Sequence, residues 1–349
     1  MQFQELLQKA NNQLFIIGEA GVNHNGDLET AKKLVDVAKQ AGCDAVKFQT
    51  WITEKVYSKQ HSIKPDYQLR TTDVKESEFD TIKNLELSFD AFHALKNYCD
   101  QQKILFLSTP DEATSADFLI NIGTPIIKIA SQDVGNLPFL RYLAQKKVPL
   151  ILSTGASTLT EVVESAETIL KETNELILLH CLSAYPAPMD ELNLLTISTY
   201  KQMFNCLIGF SDHTIGHEAA CAALALGARV FEKHFTLDTN QEGPDHQASL
   251  DPDELVNYIK VLRLVYRALG DGYKRIMPSE ASNRIAFRRY LVSARAIRAG
   301  DILSEDDFNF KKVVNGIAPK YLDNIIGSKA KMDIVEDTIL SWAHLEMNV

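Results

Sequence analysis

The sequence predicts an α/β chain: a (β/α)8 TIM barrel followed by a small β-rich domain. Three observations predict it. Eight short β-rich runs alternate with amphipathic helical stretches from residue 14 to about residue 270, the rhythm of a closed parallel barrel. At 349 residues the chain is too long for one small core and long enough for a barrel with an appendage. No Gly-x-Gly-x-x-Gly follows the first run, which speaks against an open dinucleotide-binding sheet.

The β-rich runs, in order, are residues 14–21 (LFIIGEAG), 44–50 (DAVKFQT), 104–110 (ILFLSTP), 126–131 (IIKIAS), 149–155 (PLILSTG), 176–182 (LILLHCL), 207–213 (LIGFSDH) and 228–236 (ARVFEKHFT). Each is followed by a helical pattern. In ETAKKLVDVAKQAG, Ala31, Leu34, Val35 and Ala38 share one face, and Gly42 ends the helix. The connection after the second run, residues 51–87, far exceeds the roughly 2 to 6 residues usual for a strand-to-helix loop, so it is expected to build a wall or lid over the barrel mouth. Past residue 285 the pattern changes to short β-like pieces with turns. The expected organisation is therefore a barrel over 1–270, a linker over 271–285 and a small domain over 286–349, the last for capping, dimerisation or packing.

Composition narrows the function. With 36 basic and 46 acidic residues the formal charge is −10, which argues against broad nucleic-acid or membrane-surface binding. Five scattered cysteines without a Cys-x-x-Cys pair argue against a disulfide framework or a thiolate metal site. No apolar run approaches a membrane span, and MQFQELLQKANNQ lacks a signal pattern, so the chain reads as cytoplasmic.

In such a barrel the chemistry sits at the carboxyl ends of the strands, and polar residues collect there in all eight runs. They are Glu19, Asn23 and His24; Lys47 and Gln49; Ser108 and Thr109; Lys128 and Ser131; Ser153 and Thr154; His180; Ser211, Asp212 and His213; Glu232 and His234. Residues two apart on a strand share a face. Lys47 and Gln49 therefore point together, as do Ser211 with His213 and Glu232 with His234, whereas Lys233 faces the helical layer or an edge. Val230 shares the inward face with Glu232, which is expected beneath His234 either as a carboxylate supporting that ring or as a carboxylate of the core layer.

The seventh and eighth strands are neighbours, so His213 and His234 can converge. Two imidazoles with open positions suit manganese, cobalt or zinc completed by water and substrate. The bland alternative for each is a hydrogen-bonded core histidine. Lys47 and Lys128 with Ser131, Ser153 and Ser211 form an expected anion pocket for phosphate and carboxylate groups. Here the bland alternative is that one lysine pairs with Glu19 or Asp133. Two inward lysines are nevertheless expected to need an anion.

The ordered motifs KPDYQ, LSTP, KIAS, ILSTGAS, HCLSAYPAP, GFSDHTIG, EKHFTLD and GPDHQASLDPDEL, spread over almost the whole chain, resemble the sialic acid synthase family. The C-terminal segment resembles that family's antifreeze-like (SAF) domain. The resemblance implies condensation of phosphoenolpyruvate with an open-chain N-acetylated hexosamine. It implies a divalent metal, manganese with magnesium or cobalt as other occupants, on His213 and His234. Phosphoenolpyruvate contacts fall on Lys47, Lys128, Ser131, Ser153 and Ser211, and sugar contacts on Glu19, Tyr185 and Asp245. Asp133 falls where the family has an acidic residue near the reacting carbons. A homodimer in which each SAF domain caps its partner's barrel is implied as well.

Three departures stand out. KIASQD carries Gln132 and Asp133 where many members have Gly-Glu, and HCLSAYPAP carries Ser183 where some have an amide. FKKVV carries Lys312 and Val313 where Arg-Pro is usual, and lysine lacks the planar fork of a guanidinium. The expected chemistry is attack of the phosphoenolpyruvate methylene on the sugar aldehyde. Water oriented by Asp133 or Glu19 is then added, and phosphate leaves with carbon–oxygen cleavage. N-acetylmannosamine, giving N-acetylneuraminate, is the default sugar. The alternative is 2,4-diacetamido-2,4,6-trideoxymannose, giving N,N'-diacetyllegionaminate. Remoter readings are a pyruvate-dependent metal aldolase and a non-catalytic carbohydrate-binding protein.

Overall fold

The computed structural model describes residues 3–346, with the side chain of Arg70 left aside. The chain divides into two compact units, Met1–Gly270 and Asp271–Val349.

The first unit is a closed barrel of eight strands in sequential order. They are β1 (Phe15–Gly21), β2 (Ala45–Thr50), β3 (Leu105–Pro110), β4 (Ile127–Ile129), β5 (Leu150–Ser153), β6 (Leu176–Cys181), β7 (Leu207–Asp212) and β8 (Val230–His234). All neighbours pair parallel, and β8 closes on β1. The helix Leu28–Ala41 illustrates how local sequence makes the elements. Asp27 caps its first turn by accepting from Thr30 N at 2.7 Å, its apolar stripe is buried, and Gly42 ends it at φ 90°.

Along the inward face of the barrel, character switches from apolar to polar. Phe15, Ile17, Ala45, Leu107, Ile126, Ile151, Ile177, Leu179 and Val230 form a dry lower layer. The next inward positions are Glu19, Lys47, Thr109, Lys128, Ser153, Cys181 and Glu232. Each fully buried apolar side chain of the lower layer contributes about 1.5–3 kcal/mol, which offsets the several kcal/mol, in rough terms, that each buried ion above it costs. The N-terminal helix Phe3–Gln13 plugs the bottom: Phe3, Leu6 and Ala10 join the lower layer. Its polar composition gave no hint of that role. The outward residues, among them Ile16, Val46, Phe48, Phe106, Leu152 and Phe210, pack against the helices as the main core.

The long connection of residues 51–87 is an ordered wall. It contains the short helices Thr53–Val56, Gln68–Thr71 and Glu78–Leu85. Trp51, Ile82 and Leu85 form their own apolar cluster with Val22 of the first βα loop. Lys64 ties the middle of the wall together by donating to Thr72 Oγ1 at 3.0 Å and Asp73 O at 2.8 Å.

The second unit contains two small antiparallel pairs, β9 (Arg289–Ser293) with β10 (Phe308–Lys312) and β11 (Lys329–Ala330) with β12 (Leu345–Glu346). Its core is Leu291, Ile297, Leu303, Phe308, Ile317, Ile325, Ile334 and Leu340. A helical turn at Pro278–Glu280 and a helix at Ala281–Phe287 precede β9; both begin in the stretch that reads from sequence as a linker, and the helix runs two residues past it. Among the described residues no helix is long and apolar enough to cross a membrane.

Candidate active site

The carboxyl ends of the strands and the 51–87 wall enclose a cavity of ≈ 1040 Å³. Its floor follows from strand register. Glu19 stands opposite Lys47 on β2 and opposite His234 on β8, and Ser211 stands opposite Glu232. Lys47 Nζ lies 2.8 Å from Glu19 Oε1, 3.8 Å from Glu232 Oε2 and 3.1 Å from Thr109 Oγ1. Lys128 Nζ lies 3.6 Å from Glu232 Oε1 and donates to Ile129 O at 3.1 Å. Gln49 donates to Glu19 Oε1 at 3.1 Å, and Ser211 donates to Glu232 Oε1 at 2.8 Å.

This geometry corrects one expectation and decides between the two readings of Glu232. Both lysines have carboxylate counter-ions within the protein, so their burial does not require a bound anion. Glu232 is that counter-ion: it faces the lysines and Ser211 rather than bonding to His234, because Lys128 reaches it across the barrel. Burial opposes ionisation of Glu232, yet Lys128 and Lys47 hold it down to about 2. Glu19 goes the other way: burial, with Lys47 opposing, pushes it up to about 7. Burial lowers the pKa of Lys128, against the pull of Glu232.

Above the floor, Ser153 Oγ is buried without a hydrogen-bond partner. Ser131 Oγ accepts from Gly155 N at 2.8 Å. With Lys47 and Lys128 these hydroxyls form a half-satisfied donor cluster suited to an anion.

On the opposite side the His213 and His234 rings stand 5.3 Å apart, centroid to centroid. His213 Nδ1 donates to Leu182 O at 2.8 Å, which in the neutral ring puts the lone pair on Nε2; burial lowers its pKa, but Cys181 and the Leu182 carbonyl outweigh that and raise it. His234 Nδ1 is buried without a partner, 3.7 Å from Asp245 Oδ2. Burial, then His213 and Lys47, hold His234 well below its ordinary value, so it is the neutral, ligating form. Among the described residues no three His, Cys, Asp or Glu form a ready-made cage. The donors present fit a divalent ion held by two imidazoles, with the orphaned nitrogen of His234 as the plainest sign. Tyr185 covers His213 at 4.1 Å and meets His234 edge-on at 5.7 Å, and Tyr67 of the wall stacks on Tyr185 at 4.9 Å. Burial pushes Asp245 up to about 6.

The cavity thus gathers Glu19, Lys47, Gln49, Lys128, Ser131, Ser153, Tyr185, Ser211, His213, His234 and Asp245. Asp133 is the exception within the barrel unit. β4 ends at Ile129, the 3₁₀ turn Ser131–Asp133 breaks the alternation, and Gln132 and Val134 line the cavity instead. Asp133 Oδ1 accepts from Asn136 Nδ2 at 3.0 Å. Lys312 belongs to the second unit, where its ammonium lies over Phe287 at 5.3 Å. Of the other polar strand ends, His180 bonds Leu192 O and Thr154 bonds Leu179 O, both away from the cavity. Sequence reasoning missed Asp111, Cys181, Tyr67, Gln68 and Glu78, all of which line it. Cys181, 3.8 Å from His213 Nδ1, was legible by alternation from Leu179; the wall residues carry no periodic signal.

Known proteins resemble this chain. Residues 34–274 match the NeuB family, and residues 288–346 match the SAF domain. An N,N'-diacetyllegionaminic acid synthase of Campylobacter jejuni is 41% identical, over 93% of this chain and 98% of that protein. One of Legionella pneumophila is 39% identical over 95% and 94%. The crystal structure of an N-acetylneuraminic acid (sialic acid) synthetase from Leptospira borgpetersenii is 33% identical, with a TM-score of 0.71 over 78% of this chain and 90% of that one.

Proposed function

The chain belongs to the NeuB family, the sialic, legionaminic and pseudaminic acid synthases, and on that premise we propose that it condenses phosphoenolpyruvate with an open-chain 2-acetamido sugar and water to a nine-carbon keto acid and phosphate. The observation that carries this reading is a single cavity with two buried ammonium groups on one side and an adjacent histidine pair on the other. A reaction joining an anionic and a carbonyl substrate would use both.

In this reading Lys47, Lys128, Ser131 and Ser153 hold the phosphate and carboxylate of phosphoenolpyruvate. Ser211, engaged by Glu232, orients that carboxylate toward the lysines. Tyr185, Gln49 and Asp245 hold the sugar with its aldehyde toward the histidines. A divalent ion, manganese in the first place, on His213 and His234 supplies Lewis-acid polarisation of the aldehyde oxygen when bound. The methylene carbon of phosphoenolpyruvate forms the new carbon–carbon bond as the aldehyde π pair moves onto its oxygen, which becomes a hydroxyl by taking up the proton that Glu19 receives from the incoming water, and the second carbon of phosphoenolpyruvate becomes electron-poor. Water adds there and gives its proton to Glu19, whose pKa of about 7 suits a group that accepts and returns a proton. The carbon–oxygen bond to phosphate then breaks, with Lys47 and Lys128 stabilising the departing charge.

For the sugar we favour 2,4-diacetamido-2,4,6-trideoxymannose, because identity to two diacetyllegionaminic acid synthases is 41% and 39% against 33% for the sialic acid synthetase. N-acetylmannosamine is the second reading, supported by that 33% relative. For assembly we propose a homodimer in which the SAF domain of one copy, with Lys312, serves the barrel of the other. Light scattering tests the assembly.

The deciding experiment supplies phosphoenolpyruvate, manganese and each sugar, and measures phosphate release in oxygen-18 water. Label is expected in the keto acid. Label in the phosphate, or equal turnover with pyruvate in place of phosphoenolpyruvate, overturns the reaction; preference for N-acetylmannosamine overturns only the choice of sugar.

A further inference from the structure

Behind β7 and β8, on the face turned away from the cavity, lies a buried polar network with no part in the chemistry above. Asp212 and Lys233 are register partners on the two strands, and both are fully enclosed. Asp212 Oδ2 accepts from Lys233 Nζ and from Tyr258 OH, each at 3.1 Å. Asp212 Oδ1 accepts from Thr214 N at 2.9 Å and Thr214 Oγ1 at 2.7 Å. Lys233 Nζ also donates to Thr214 O and lies over the Tyr258 ring at 5.4 Å.

The arrangement grips the backbone on both sides of one imidazole. Asp212 precedes His213, and Thr214 follows it with its N–H held by Asp212 and its carbonyl by Lys233. His213 O in turn accepts from Ala187 N at 2.8 Å. Lys233 directly precedes His234, whose own carbonyl accepts from Leu250 N at 2.9 Å. One ion pair therefore links the two strand ends on which the two rings are mounted. Packing alone does not call for it, since burying two charges is costly and an apolar pair of similar volume holds such an interface equally well.

We propose that Lys233 and Asp212, steadied by Tyr258, are positioning residues that fix the spacing of the His213 and His234 imidazoles and thereby set the affinity for the divalent ion. The inference rests on the two-histidine reading of the metal site.

The test is a manganese titration of the metal-free full-length protein, following the electron paramagnetic resonance signal of free manganese, alongside thermal melting of the same samples. Wild type, His213→Ala, Lys233→Met and Tyr258→Phe are compared below their melting temperatures. Lys233→Met is expected to weaken manganese binding about tenfold, the scale typical of groups that orient metal ligands, and Tyr258→Phe by a smaller factor of a few. Phosphoenolpyruvate binding without metal should stay within about twofold of wild type in both, since neither side chain faces the cavity. Weaker binding in His213→Ala with unchanged binding in Lys233→Met, even where its melting point falls, overturns this inference alone. Equal manganese binding by wild type and His213→Ala overturns the two-histidine reading and this inference with it. Should Lys233→Met fail to fold, unchanged manganese affinity in Tyr258→Phe overturns the proposal.

Discussion

Glu19 and Lys47 form an ion pair of 2.8 Å on facing positions of neighbouring strands, and both side chains are almost wholly buried. The pair shows how the cavity floor tolerates its charges before a substrate arrives. Glu232 does the same for Lys128 from across the barrel. An incoming anion therefore competes with carboxylates already present, and Ser153 Oγ, buried and unbonded, is the donor free to meet it.

Replacing Lys47 tests that balance. In Lys47→Met, Glu19 loses its ammonium partner and Glu232 loses one of two. Removing one member of a buried pair typically costs about 3–5 kcal/mol. A clear drop in melting temperature is expected, with phosphoenolpyruvate binding weakened by about tenfold or more, as loss of a charge-assisted contact implies. Calorimetric binding of phosphoenolpyruvate at wild-type strength would show that Lys47 is purely structural.

The same pair predicts a pH dependence of stability. Burial raises Glu19 from the ordinary 4.5 to about 7. The folded chain thus retains a proton that the unfolded chain releases, so this contribution is fully present below pH 4.5 and is lost as pH rises through about 7. A shift of this size amounts to something on the order of 3 kcal/mol. Glu19→Gln removes the titration, so the stability of wild type relative to the variant should decline between pH 4.5 and about 7 and level off above that. Parallel denaturation curves for the two proteins across that range would contradict a raised Glu19.

Metal removal addresses the histidine pair. Dialysis against a chelator should abolish turnover, and manganese should restore it. Because an ion that binds only the folded state stabilises it by mass action, the melting temperature of the metal-free protein should rise with manganese, by an amount that grows with concentration. In His234→Ala neither the rescue nor the thermal shift is expected, since the orphaned buried Nδ1 belongs to that ring. A full thermal shift in that variant would move the metal elsewhere.

Much of this site is legible in the sequence because the barrel strands obey a period of two. That rule puts Lys47 with Gln49 and Glu232 with His234 inside, and turns Lys233 out to meet Asp212. It fails where a strand stops: β4 ends at Ile129, so Asp133, three residues past Ala130, no longer follows its inward face. It is also silent about pairing across the barrel, and so the sequence leaves Glu232 open between support for His234 and the core layer and does not name it as the counter-ion of Lys128. The plug at Phe3–Gln13 escapes for another reason, since Phe3, Leu6 and Ala10 are its buried residues, Leu7 is half-buried beside them, and the other seven carry the polar signal.

Tyr67 in the wall of residues 51–87 makes an aromatic contact with the site, meeting Tyr185 at 4.9 Å. Tyr185 in turn lies on His213. Tyr67→Ala removes an aromatic pair worth about 0.5–1.5 kcal/mol beyond its buried area. The KM for the sugar is expected to rise several-fold while the KM for phosphoenolpyruvate stays near wild type, because Lys47 and Lys128 lie on the barrel floor and not on the wall. Equal changes in both would mean that the wall serves the whole cavity rather than the sugar side.

Gly155 offers the sharpest test of the anion side. Its N–H donates to Ser131 Oγ at 2.8 Å, so the glycine sets where that hydroxyl points. A Cβ added there would lie 2.2 Å from Ser183 Oγ, 3.0 Å from Ser131 Oγ and 3.1 Å from Ser183 N. The first contact is with the end of a side chain and is relieved by rotation or removal of the Ser183 hydroxyl. The other two are tight contacts with Ser131 and with backbone, so the loops after β4, β5 and β6 must shift by some tenths of an ångström. Overpacking of this kind costs about 1–3 kcal/mol, which a barrel of this size survives. The expected outcome for Gly155→Ala is therefore a folded protein with a modestly lower melting temperature and a KM for phosphoenolpyruvate raised about tenfold, the factor that about 1.4 kcal/mol of lost binding represents. Removing the closest obstacle should return part of that loss, so the double variant Gly155→Ala with Ser183→Ala is expected to lie between wild type and the single variant. Steady-state kinetics of the two variants beside Ser183→Ala alone complete the cycle. An unchanged KM in Gly155→Ala would detach Ser131 from phosphoenolpyruvate and leave the anion to Lys47, Lys128 and Ser153.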